Sequence, residues 1–218
     1  MNFTGATVDG VVNGDSISLS QTGYTAEFPT ANVGNNLAVT VSDLALAGAK
    51  ATNYTLTQPT GLTADITPAP ATVTLNRSVQ LYDDTGVSVT NAVNPTGLAV
   101  NVTYNGSSVI PTNVGAYTVI ATVNNPNYSG SSTNTLYIAP VPNFVAVATN
   151  AAHQVVFTWN AVSKVNYHVY STPSLSPPIN WTDLFGSVAA TNSLMTGVDT
   201  LYRLPETNRF YRVELMLQ

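Results

Sequence analysis

The chain has 218 residues, 44% hydrophobic and 9% aromatic but only 8% charged, with a formal net charge of −5, no cysteine and two histidines. Soluble proteins carry roughly 25% charged residues, so solubility here rests on neutral Ser, Thr and Asn, about a third of the chain. Six Lys and Arg against eleven Asp and Glu exclude the cationic surface that nucleic acid or an anionic membrane requires. No apolar run approaches the roughly 20 residues of a spanning helix, and without cysteine there is no disulfide, thiol chemistry or cysteine zinc site. Met1-Asn2-Phe3-Thr4 does not open like a signal peptide, so an extracellular role places the export signal outside these residues.

In chain order, the turn signal Asn13-Gly14-Asp15 leads into Ile17 and Leu19, which alternate with serines as on a half-buried strand. Asn32-Val33-Gly34 then precedes Leu37-Ala38-Val39-Thr40-Val41. Residues 41–51 have helix-like spacing, but Gly48 and the β-branched start argue against a helix. Asn53-Tyr54-Thr55 and the proline-rich Thr67-Pro68-Ala69-Pro70 follow. Period two returns at Val73 and Leu75, at Val100, Val102 and Tyr104, and at Tyr117, Val119, Ala121 and Val123. Turns at Asn94-Pro95-Thr96-Gly97, Asn105-Gly106-Ser107 and Asn125-Pro126 separate these runs. A second junction, Ala139-Pro140-Val141-Pro142, precedes Val155, Phe157 and Trp159, then Tyr167 and Val169.

Two short, semi-rigid proline junctions thus divide the chain into modules 1–68, 69–140 and 141–218. Regular short strands with turns about every ten residues read as all-β, three small Ig-like or fibronectin-like β-sandwiches in series. The first two are relatives, because Asn32-Val33-Gly34 with Asn53-Tyr54-Thr55 recurs as Asn113-Val114-Gly115 with Asn127-Tyr128-Ser129, and Pro59-Thr60-Gly61-Leu62 as Pro95-Thr96-Gly97-Leu98. Arg203, Arg209 and Arg212 gather near the end, where they are expected on a solvated strand and turn face.

The second module resembles the MBG domain of large bacterial surface proteins. The resemblance runs through Ala71-Thr72-Val73-Thr74-Leu75, Gln80-Leu81-Tyr82-Asp83-Asp84-Thr85, Val102-Thr103-Tyr104-Asn105-Gly106-Ser107, Pro111-Thr112-Asn113-Val114-Gly115-Ala116-Tyr117 and Asn127-Tyr128-Ser129-Gly130. That family has Tyr-Asp-Gly where this chain has Tyr82-Asp83-Asp84. The first module resembles the companion YDG domain through Gly10-Val11-Val12-Asn13-Gly14-Asp15-Ser16-Ile17-Ser18-Leu19, Asn53-Tyr54-Thr55-Leu56 and Ala64-Asp65-Ile66-Thr67-Pro68. It departs in lacking the family's opening Tyr-Asp-Gly strand, so unpaired backbone and an exposed apolar groove are expected. The third module is similar to a fibronectin type III-like domain, through Val155-Val156-Phe157-Thr158-Trp159, Tyr167-His168-Val169-Tyr170 and Arg209-Phe210-Tyr211-Arg212-Val213. These resemblances imply tandem extracellular, cell-surface repeats with no activity and no cofactor.

Candidate chemistry is sparse. A catalytic triad needs a base beside a nucleophile; His153 falls in a turn, and His168 alternates with Tyr167 and Val169, so it is expected to face solvent. Asp83 and Asp84 are adjacent and diverge, unlike a glycosidase pair, and with Asn91 they lack the spacing of a calcium loop. Lys50, weighed as an amide cross-link donor, reads as exposed. Seven Asn-x-Ser/Thr sequons exceed only slightly what this composition gives by chance. No catalytic, cofactor or metal residue is assigned. Among the aromatics Trp159 reads as core, whereas Trp181 and Tyr170 are the candidate carbohydrate contacts. The expected function is a non-enzymatic structural or adhesive repeat segment of a surface or filament protein, with itself or neighbouring repeats as partner. The first strand of the first module is either donated by another copy or cut away from the sequence shown. The alternative is a carbohydrate-binding module array that meets surface glycans.

Overall fold

The computed structural model describes residues 6–12, 14–76, 78–202 and 208–217. Asn13 of the first turn signal and Arg203 of the basic group lie outside the described residues. The chain divides into two compact units, Met1–Pro70 with Asn125–Ser129, and Ala71–Asn124 with Gly130–Gln218.

The first unit holds β1 (Ser18–Leu19), β2 (Thr25–Glu27), β3 (Gly34–Ala38), β4 (Thr40–Ser42), β5 (Leu46–Ala47), a single 3₁₀ turn at Ala51–Asn53, β6 (Thr63–Ile66) and β7 (Ala69–Pro70). They pair as two-stranded ribbons, antiparallel β1–β5, β2–β4 and β3–β6. Residues 41–51 form no α-helix: Gly48 sits at φ +125°, and a Cβ there would lie 2.2 Å from the Ser16 carbonyl oxygen, so any side chain would push β1 off β5. Among the described residues of this unit, Val41 and Leu44 are the apolar side chains that reach full burial.

The second unit begins with β8 (Thr72–Asn76), β9 (Val79–Leu81), β10 (Thr90–Asn94), β11 (Val100–Tyr104) and β12 (Gly115–Val123). The short β13 (Tyr128–Ser129) belongs to the first unit, where it runs parallel to β7. With β14 (Ser131–Ala139) the sheet order is β11-β12-β14-β9, and the β8–β10 ribbon packs across it. The alternation read from the sequence is what fills the space between: Val73, Leu75, Val119, Ala121, Leu136 and Ile138 all point inward and are buried. Asn105 and Gly106 both adopt positive φ, +49° and +83°, as an Asn-Gly hairpin turn requires. Asp84 stands at φ +63°, so it takes without glycine the left-handed conformation that glycine adopts freely.

The C-terminal strands are β15 (Phe144–Thr149), β16 (Val155–Asn160), β17 (Asn166–Thr172), β18 (Thr182–Asp183), β19 (Val188–Ala189), β20 (Leu194–Asp199) and β21 (Phe210–Leu215). One sheet is β15-β16-β20; in the other β17 pairs with β18, β19 and β21. Their core is Phe157, Trp159, Val165, Tyr167 and Val169, with Val79 of β9 in the same cluster and Tyr137 of β14 packed against it. The Phe157 ring lies 4.7 Å from Tyr211 and 5.4 Å from Phe144, in tilted arrangements that suit aromatic quadrupoles.

Candidate functional site

β17 alternates strictly. Tyr167, Val169 and Ser171 turn inward, which sets His168 and Tyr170 on the outer face of the sheet. Register then decides their neighbours: Tyr170 is opposite Arg212 on β21 and Asp183 on β18, and His168 is opposite Glu214. The Arg212 guanidinium carbon lies 4.5 Å from the Trp181 ring centroid and 4.9 Å from that of Tyr170, and its Nη1 is 3.2 Å from Glu214 Oε1. A cation over aromatic faces is attracted by their quadrupoles. Trp181 and Tyr170 are therefore brought together on one face, each with Arg212 over its ring, and Trp181 is half-buried rather than projecting.

His168 does not face open solvent as the alternation alone implies. Its ring stacks on Tyr170 at 5.8 Å and 13°, its Nδ1 is 2.5 Å from Asp183 Oδ2, and its side chain is 15% exposed. Burial works against ionisation of Asp183, but His168 and the backbone N–H groups of Phe185 and Gly186, which donate to the carboxylate, outweigh it and hold the carboxyl below the usual range. His168 Nε2 is buried and has no hydrogen-bond partner among the described residues. The pair thus orients the imidazole ring within a stacked face. His153 is an exposed turn residue at φ +57°.

Arg209 departs from the expected solvated face. Its Nε lies 2.8 Å from Asp199 Oδ2, and Nη2 donates to Ser171 Oγ at 3.2 Å. Asp199 is fully buried at the end of β20. It also accepts from Leu201 N–H at 2.8 Å, Tyr202 N–H at 3.0 Å and Tyr211 Oη at 3.1 Å. Burial, and then the adjacent carboxylate, push the Tyr211 phenol well above its ordinary pKa. Sequence parity misplaces Asp199, since Leu194 and Val198 claim the other face of β20 although positions 195, 197 and 199 are the ones that turn inward, and its cation comes from a residue ten positions later.

The remaining candidates are settled locally. Lys50 Nζ is 2.7 Å from Asp15 Oδ1 and is well exposed, while Tyr54 Oη donates to Asp15 Oδ2 at 2.7 Å. Those two hydrogen bonds, Lys50 first, hold the Asp15 carboxyl below its usual pKa. Asp83 accepts from both the N–H and the hydroxyl of Thr85, and Asp84 meets the Tyr82 hydroxyl. Among the described residues no group of three or more His, Asp or Glu is placed to hold a metal ion.

Short strands, polar neutral faces and cores without cysteine define the class as a serial array of small all-β modules. Residues 71–142 match the MBG domain and residues 1–61 match the YDG domain. The chain carries a YDG domain followed by an MBG domain, both of the surface-repeat type. No curated protein and no solved structure matches the chain. Among the described residues no helix is long and apolar enough to cross a membrane.

Proposed function

We propose that the chain is a non-enzymatic, extracellular structural and adhesive segment of a bacterial surface or filament protein, whose first unit takes a strand from another copy. The observation that carries this reading is the contrast in burial. Among the described residues twelve apolar side chains of β8 to β14 and the loops between them are buried, against Val41 and Leu44 in the first unit. Among the described residues each ribbon strand there has one partner and so offers one open edge. An isolated two-stranded ribbon is marginal in water, and an open edge is a template for a further strand. Phe28 and Leu62 stay 38% and 40% exposed. Glu27 and Phe28 at the end of β2, with Ile66 at the end of β6, line an open groove in which an extended apolar segment would bury them. A surface of neutral Ser, Thr and Asn repels its neighbours weakly, which suits close packing in an array.

Electron microscopy of the purified chain, paired with sedimentation over a concentration series, tests the reading. Fibres or beaded rods are expected. A compact monomer at all concentrations, with the first unit as protected from hydrogen exchange as the second, overturns it. What supports the second reading, a carbohydrate-binding array, is the common sheet face of Trp181 and Tyr170; unchanged retention of Trp181→Ala on polysaccharide columns removes that support.

A further inference from the structure

The first unit contains a filled socket. Asn127, in the turn Asn125-Pro126-Asn127-Tyr128, inserts its side-chain amide so that Oδ1 accepts from the Val33 N–H at 2.8 Å and Nδ2 donates to Asn32 Oδ1 at 2.9 Å. Its carbonyl accepts from the Ala69 N–H at 3.0 Å, which starts the parallel pairing of β13 with β7. One asparagine thereby satisfies two backbone donors and one side-chain acceptor.

The same socket exists a second time. In the first unit Gly34 pairs with Ile66, which aligns Asn32-Val33 with Thr67-Pro68 and leaves the Ala69 N–H just beyond. In the second, Gly115 pairs with Ile138, which aligns Asn113-Val114 with Ala139-Pro140 and leaves the Val141 N–H just beyond. The register agrees at these positions, and the sequence repeats at Asn-Val-Gly, at the paired Ile and at the Pro. Asn113 and Val114 are exposed, and Val141 is 63% exposed. The Val114 N–H, the Asn113 amide and the Val141 N–H have no hydrogen-bond partner among the described residues. The Val141 carbonyl already accepts from Asn160 Nδ2, which leaves its second lone pair for an incoming N–H.

A matching plug is also present. Ala51-Thr52-Asn53-Tyr54 closes the same turn as Asn125-Pro126-Asn127-Tyr128, with Tyr54 N–H to Ala51 O at 3.1 Å and Tyr128 N–H to Asn125 O at 3.2 Å. Asn53 stands where Asn127 stands, is exposed, and its amide has no partner among the described residues. Asn127 is engaged within its own chain, so the plug free to leave the molecule is Asn53.

We infer that the Asn113-Val114/Val141 socket of one copy binds the Asn53 turn of a second copy, joining copies head to tail. This rests on the reading of the chain as an assembling repeat but not on strand donation. Different patches meet, so the contact is heterologous and propagates unless it closes into a ring. One turn buries little surface, and multivalency in an array strengthens it.

The test uses Asn53→Ala and Asn113→Ala in the full chain, both at exposed positions, followed by sedimentation velocity. By the Asn127 template Asn53→Ala removes two hydrogen bonds and Asn113→Ala one, so at about 1 kcal/mol per bond the variants are expected to associate about thirtyfold and about fivefold more weakly than the parent. An equimolar mixture is expected to recover association and to stop at dimers, because one partner keeps a socket and the other a plug. A mixture no better than either variant overturns the inference. Variants that associate like the parent also overturn it and leave strand donation standing. A parent that stays monomeric overturns both.

Discussion

Removing the Asp199 carboxylate tests the buried polar network of the C-terminal module. Asp199 is fully buried and holds Arg209, itself 16% exposed, at 2.8 Å, with two backbone N–H groups and the Tyr211 hydroxyl on its oxygens. Asp199→Ala takes the buried carboxylate away from Arg209, the Leu201 and Tyr202 N–H groups and the Tyr211 hydroxyl. Breaking one side of a buried pair costs about 3 to 5 kcal/mol, much of what a small domain has. Asp199→Asn keeps an oxygen for Leu201 and Tyr202 but loses the charge facing Arg209, and is expected to cost about 2 kcal/mol. Urea unfolding followed by tryptophan fluorescence reads the change, since Trp159 lies in this core. The expected order is parent, Asp199→Asn, Asp199→Ala. An Asp199→Ala protein within about 1 kcal/mol of the parent would refute the reasoning, because the carboxylate would then contribute little to holding the network together.

Other substitutions address separate features. A Cβ on Gly197 would lie 2.8 Å from the Phe185 ring and 3.2 Å from Trp159, so Gly197→Ala is expected to destabilise by about 1 to 3 kcal/mol, measured in the same urea assay. At Asp84, with φ +63°, Ala should be less stable than Gly by about 1 kcal/mol; equal stabilities would show that the turn relaxes. Trp181→Ala removes the ring over which Arg212 sits and should cost about 1 kcal/mol, with no change meaning that the stacked face contributes nothing. The Asp15 carboxyl is held below its unfolded value by Lys50 and then Tyr54. Its stabilising contribution is therefore complete above the unfolded pKa near 3.8 and is lost as pH falls through the lower folded value. The melting temperature should fall less between neutral and acid pH in Asp15→Asn than in the parent, and an equal fall would show that Asp15 contributes nothing.

Strand parity was readable because it depends on neighbours two residues apart: Val155, Phe157 and Trp159, or Tyr167 and Val169, declare their buried face without any partner strand. The family-level reading of the first two modules rested on equally local words, such as Asn-Val-Gly and Asn-Tyr. What stayed hidden depends on register between distant strands. Arg212 meets Tyr170 and Trp181 because β21 lies beside β17, and nothing local marks Arg209 as the partner of a carboxylate on β20. The clustering of Asn125–Ser129 with the first unit was invisible for the same reason. The repeated motif was visible, but its role as plug and socket needed the hydrogen bonds of Asn127.

The central claim is that the first unit is completed by another copy. Hydrogen exchange of its backbone amides, followed by mass spectrometry at concentrations from well below to well above the onset of association, tests this most directly. The amides of β2, β3 and β6 should exchange quickly in dilute monomer and gain protection as copies associate, while those of β12 and β14 stay protected throughout. Protection of β2, β3 and β6 that equals that of β12 in the dilute monomer, and does not change with concentration, would contradict the account.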